Sequence, residues 1–178
     1  MDKRMKKINL VIVAAILLVS LVLVFTYKTK NLDIDKTSET YQVLPERILD
    51  FELIQMQTGD AAMFSVKRLH PQDFEIEDAY TAVYSDGSRI YIWVSVSGSN
   101  ERAQELLDLM NLNIKKSEMF YNFREEKIAD ETVYHVDGMN MDNYYYRHGN
   151  RVTWIATDDK DSRRIVEEYM SLTMGILY

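Results

Sequence analysis

Cysteine is absent from this chain, which excludes disulfides, thiolate nucleophiles and cysteine-ligated metals together. Proline occurs twice and glycine six times in 178 residues, so collagen-like and Gly/Pro-rich disordered architectures are also excluded. The familiar catalytic signatures are missing as well. No glycine-rich phosphate loop, Gly-x-Ser-x-Gly or Ser-x-x-Lys occurs, and neither His-x-x-x-His nor His-Glu-x-x-His is found. Basic charge is in short supply, with 21 Lys and Arg against 28 Asp and Glu. A net charge of −7 argues against nucleic acid as a partner, because phosphate binding requires a basic face.

What is present begins with one long apolar run. Ile8 to Tyr27, "INLVIVAAILLVSLVLVFTY", contains no charged side chain. As a helix it would span roughly 30 Å, the thickness of a bilayer hydrocarbon core. A cleaved signal peptide is the competing reading, but its apolar region is shorter and ends at a small-x-small site, which "VFTYKTK" does not offer. Lys3, Arg4, Lys6 and Lys7 precede the run against Asp2 alone. The positive-inside rule then puts the N-terminus in the cytoplasm and the rest outside. Without residues 1–27, which hold four basic and one acidic side chain, 17 basic and 27 acidic remain, a net of −10.

The expected organisation is a basic cytoplasmic tail (1–7), a transmembrane helix (8–27), a juxtamembrane linker (28–44) and an extracytoplasmic α+β domain (45–178). Within that domain, Thr58-Gly59-Asp60 opens a short helix that His70-Pro71 should close. Two strands flank Asp86-Gly87, a hairpin signal. Ser99 caps a helix through about Asn111, with Ala103, Leu106, Leu107 and Met110 on one stripe. Four strands follow, at Glu118–Arg124, Thr132–Val136, Asp142–Arg147 and Arg151–Thr157. Asp158, Asp159 and Asp161 then open a last helix. The pattern implies an antiparallel sheet with its helices packed on one face.

A motif recurs across the two hairpins. "YSDGSRIYIW" from Tyr84 and "YRHGNRVTWI" from Tyr146 share Tyr-x-x-Gly-x-Arg. With two-residue loops at Asp86-Gly87 and His148-Gly149, Tyr84 faces Arg89 and Tyr146 faces Arg151, each pair able to stack. Shared hairpin chemistry explains the recurrence better than a duplicated ligand site, although a strand–strand–helix duplication also fits. Alternation then places Tyr84, Arg89, Tyr91 and Trp93 on an open face, together with Tyr144, Tyr146 and Arg151. Trp154 belongs to the core face and Trp93 to the outer one. These seven residues, Tyr84, Arg89, Tyr91, Trp93, Tyr144, Tyr146 and Arg151, form the candidate binding surface. Its cover would be residues 45–58, a second copy, another protein or a ligand.

Other candidates are weaker. His70, His135 and His148 lie in separate elements, so no metal site is expected from them. His135, Met139 and Met141 hold soft donors suited to cuprous copper, but methionine spacing of this kind more often serves packing. "TDDKD" lacks the glycine and glutamate of a calcium loop. The sequence therefore reads as a noncatalytic, single-pass binding or assembly subunit of a cell-envelope complex, with a protein partner or self-association, no cofactor and no metal. A small-ligand sensor or carrier is the alternative, and a membrane-tethered envelope hydrolase a lesser one.

Overall fold

The computed structural model describes residues 43–69 and 74–175. The apolar run 8–27, most of the linker and His70 lie outside the described residues. Among those described, no helix is long and apolar enough to cross a membrane.

Among the described residues, eight strands form one antiparallel sheet in the order β1-β2-β3-β4-β8-β7-β6-β5. They are β1 (Arg47–Ile48), β2 (Phe51–Thr58), β3 (Asp78–Ser85), β4 (Arg89–Val96), β5 (Phe120–Ile128), β6 (Glu131–Gly138), β7 (Met141–His148) and β8 (Arg151–Thr157). The helices described with them are α1 (Gly59–Lys67), α2 (Asn100–Lys116) and α3 (Ser162–Met174). The α+β class and its antiparallel sheet thus follow the sequence pattern. Strand β2 does not, because its single bulge breaks the alternation that would identify it. The bulge falls between Leu53 and Gln55, so Leu53 and Met56 both reach the same core and Ile54 is left 59% exposed.

The helices do not share a face, contrary to the sequence expectation. Ile165, Val166, Tyr169 and Met170 of α3 pack with Tyr84, Ile90, Ile92, Tyr144, Tyr146 and Ile155 on one side of the sheet. Ala62 and Val66 of α1, with Ala103, Leu106, Leu107 and Met110 of α2, pack with Ala79, Tyr145 and Val152 on the other. The cause is legible in β3, where six successive residues from Ala79 to Tyr84 are buried. Such an unbroken buried run belongs to a sheet covered on both sides. A two-fold duplication perpendicular to the sheet would set α2 and α3 on the same side, and they lie on opposite sides.

Hairpin register explains the rest of the difference. Ser85 pairs with Arg89, giving the loop Asp86-Gly87-Ser88 three residues. The Ser85 hydroxyl donates to the Ser88 carbonyl at 3.0 Å, and the Asp86 carboxylate accepts from the Ser88 amide at 3.1 Å, while Gly87 supplies φ 126°. In the second hairpin His148 pairs with Arg151 across Gly149-Asn150. Tyr84 therefore faces Ile90, and Tyr146 faces Thr153. Neither tyrosine sits opposite its arginine: a one-residue change of register puts Tyr84 and Arg89 on opposite faces, whereas a two-residue change keeps Tyr146 and Arg151 on one face but no longer paired.

Val43 and Leu44 are 2% and 0% exposed, so the core takes in two residues that the sequence pattern leaves in the linker. Two buried phenols hold them. Tyr169 donates to the Val43 carbonyl and Tyr84 to the Pro45 carbonyl, each at 2.8 Å. Burial pushes the hydroxyls of Tyr84, Tyr145, Tyr146 and Tyr169 above the free-phenol value of 10.0. A folded-state pKa raised above the unfolded one gives stability that is complete below pH 10 and is lost as pH rises further. Tyrosinate absorbance of these four should therefore appear together with loss of the circular dichroism spectrum. Titration of all tyrosines near pH 10 with the spectrum intact would contradict the burial.

Candidate functional site

Where α3 stops covering the sheet, at the β5–β6–β7 corner, the exposed face turns polar. Strand parity places His135 and Asp137, two residues apart on β6, on the α3 side. Across the Met139-Asn140 turn Asp137 pairs with Asp142, and His135 pairs with Tyr144. Both turn residues have positive φ, 55° and 59°, which a tight two-residue hairpin demands. Asn143 braces the turn, its amide donating to the carbonyls of Gly138 and Met141. Gly138 is required here, since an added Cβ would lie 2.5 Å from the Phe120 ring.

A bulge in β5 completes the corner. Tyr121 pairs with Asp137 and Arg124 with His135, so two residues of β5 stand against one of β6. Asn122, at φ 55°, absorbs the extra length. Its amide donates to Asp137 Oδ2 at 2.6 Å, while Arg124 Nη2 lies 3.2 Å from Asp137 Oδ1. His135 Nε2 lies 2.9 Å from Asp142 Oδ1 and 3.4 Å from Asp137 Oδ1. Arg124 Nη2 is 3.0 Å from Nδ1 of the same ring. The bond to Asp142 assigns the ring hydrogen to Nε2, and Arg124 Nη2, 3.0 and 3.1 Å from the two ring nitrogens, lies against the ring. The imidazole stacks on Tyr144 with ring centres 4.1 Å apart, and the Tyr144 hydroxyl pairs with Ser162 at 3.1 Å. Glu126 is ion-paired with Arg163, whose guanidinium it stabilises in the charged form. The first turn of α3 thereby supports the corner from behind.

The seven residues expected to form one open surface are divided between the two sides. Tyr84, Tyr144, Tyr146 and Arg151 are on the α3 side, and the three tyrosines are at most 3% exposed. Arg89, Tyr91 and Trp93 are on the α2 side, where Arg89 Nη1 donates to the Tyr91 hydroxyl at 3.4 Å. Trp93 and Trp154 pair directly across β4 and β8 and are both half-buried, so they share one side. Trp154, Tyr145 and Tyr134 stack in succession beneath α2, with ring centres 5.0 and 5.3 Å apart. The aromatics are internal structure. Met141 does not join His135 as a ligand, because it packs with Val83, Tyr91 and Ala156 on the other side of the sheet. His148 is held by Glu131 at 2.7 Å.

The polar corner escapes a sequence reading because its parts look ordinary there. "HVDGMNMD" reads as a turn at Asp137-Gly138. Only when the turn is moved to Met139-Asn140 do His135, Asp137 and Asp142 fall on one face. Met139 is ill-suited to its left-handed backbone and is 42% exposed. Replacing it with asparagine, which tolerates that conformation, should stabilise the chain by about 0.5–1 kcal/mol in urea unfolding. A loss of stability would mean that Met139 is held by packing rather than tolerated.

No family model matches the chain, and no curated protein matches it. Among solved structures it resembles a GTP binding regulator of Thermotoga maritima, with a TM-score of 0.52 at 10% identity, covering 77% of this chain and 87% of that one. A likeness at that identity is one of fold alone.

Proposed function

We propose that the chain is a noncatalytic binding or assembly module, held outside the cell membrane by residues 8–27 and joined to a protein partner through the β5–β7 corner. The anchor rests on the uncharged run and the basic residues before it. The contact surface rests on one observation. Tyr121 and Met139 are 59% and 42% exposed at the same corner, beside the Asn122, Arg124 and Asp137 network. An aromatic, a methionine and an arginine set in a polar rim are the composition favoured at protein contacts. Met139 carries a backbone conformation that disfavours it, which is common at functional positions. The four tyrosines of the surface read from sequence are buried, and the corner takes its place.

A second reading, an extracytoplasmic sensor of a small ligand, draws on the convergence of His135, Asp137 and Asp142.

The test uses full-length protein cross-linked in its own membranes and identified with its companions by mass spectrometry. A stoichiometric partner cross-linked near Tyr121 and Met139 is expected, and Tyr121→Ser with Met139→Ser should lose it. Recovery of the chain alone, or a partner retained by the double variant, would overturn the assignment.

A further inference from the structure

We propose that His135, Asp137 and Asp142 form a binding site for a divalent cation of the zinc class, with Arg124 as its resident cation when metal is absent. The inference goes beyond the partner reading and does not depend on it.

The donor set comes first. One imidazole nitrogen and two carboxylate oxygens offer ligand atoms that all lie within 4.8 Å of one another. Two ligands each about 2.1 Å from one zinc ion stand about 3.0 Å apart at a right angle and about 3.4 Å at the tetrahedral angle. His135 Nε2 lies 2.9 Å from Asp142 Oδ1 and 3.4 Å from Asp137 Oδ1. Those separations need little rearrangement. Mixed nitrogen and oxygen donors favour a borderline ion such as zinc over calcium or magnesium, which prefer oxygen alone.

Placement of the ring is the second, independent observation. The His135 side chain is 9% exposed, and its orientation is fixed by stacking on Tyr144. Nε2 points at both aspartates. Nδ1 points the other way, 4.0 Å from Glu126 Oε1. Metal-binding histidines commonly hydrogen-bond the remaining ring nitrogen to a carboxylate, and Glu126 is the carboxylate placed to close in on Nδ1 once the Arg124 guanidinium leaves. Glu126 is itself held by Arg163. The ligands sit on paired strands across a tight turn, a rigid platform.

Arg124 explains how three carboxylates are tolerated around one imidazole without an ion. Its Nη2 reaches Asp137 Oδ1 and both ring nitrogens, at 3.2, 3.0 and 3.1 Å. The side chain is 55% exposed and free to swing outward. Metal entry then displaces the guanidinium and moves the ring hydrogen from Nε2 to Nδ1, where Glu126 accepts it. No proton is gained or lost by the ring in that exchange. The remaining coordination positions face solvent and take water.

The experiment titrates zinc chloride into the chelator-stripped full-length chain in mild detergent, followed by calorimetry. One saturable equivalent per chain is expected. His135→Gln and the near-isosteric Asp142→Asn should abolish it, with circular dichroism confirming that each variant folds. Glu126→Gln should weaken binding about tenfold. Arg124→Gln should strengthen it about tenfold, because the competing cation is gone. A network built only for structure would give no saturable binding, and that result overturns the proposal. So does binding that survives both His135→Gln and Asp142→Asn, or an Arg124→Gln variant that binds more weakly.

Discussion

Strand parity is the constraint on which the rest of this structure depends. In a sheet covered on both sides, each residue is committed to one of two cores, and a single-residue shift in a hairpin exchanges them. The loop Asp86-Gly87-Ser88 has three residues and the loop Gly149-Asn150 has two. Because of that difference, Tyr84 and Tyr146 lie under the same helix while Arg89 and Arg151 lie on opposite sides of the sheet. Recurrence of Tyr-x-x-Gly-x-Arg is thus a similarity of letters that the two loops resolve differently. The β4–β8 junction joins both halves, with Ile92 opposite Ile155 and Trp93 opposite Trp154.

Much of the fold was legible in the sequence. Ser99 caps α2 through its hydroxyl, and strand β8 occupies the span that alternation indicates. The stripe of Ala103, Leu106, Leu107 and Met110 is the buried one. What escaped did so for physical reasons. Strand β2 is bulged and α2 runs on to Lys116, while β3 and β7, found as strands, carry buried residues on both sides that were read as one-sided. Tyr84, Tyr91, Tyr144 and Tyr146, which look like parts of a recognition surface, are instead buried in the two cores. The corner around His135 depends on two local irregularities, the Asn122 bulge and the Met139-Asn140 turn. Neither is encoded by glycine, so neither announces itself.

Two buried phenols hold residues 43–45 in the core. Tyr169 and Tyr84 donate to the carbonyls of Val43 and Pro45. Hydrogen bonds of this type contribute about 0.5–1.5 kcal/mol each. The Tyr169 bond is made from α3, whose first turn supports Glu126 and Tyr144 at the far corner. The helix therefore links the Val43 backbone to the polar corner.

The most direct test of two-sided coverage uses the neighbours Tyr144 and Tyr145, whose rings report opposite sides of β7. Through-space proton contacts measured by NMR should connect Tyr144 to His135 and to Ser162 of α3. Tyr145 should contact Trp154 and Asn111 of α2. Finding both sets in one protein is the predicted result. If either tyrosine lacked its helix and met solvent instead, the sheet would have an open face, and coverage on both sides would be contradicted.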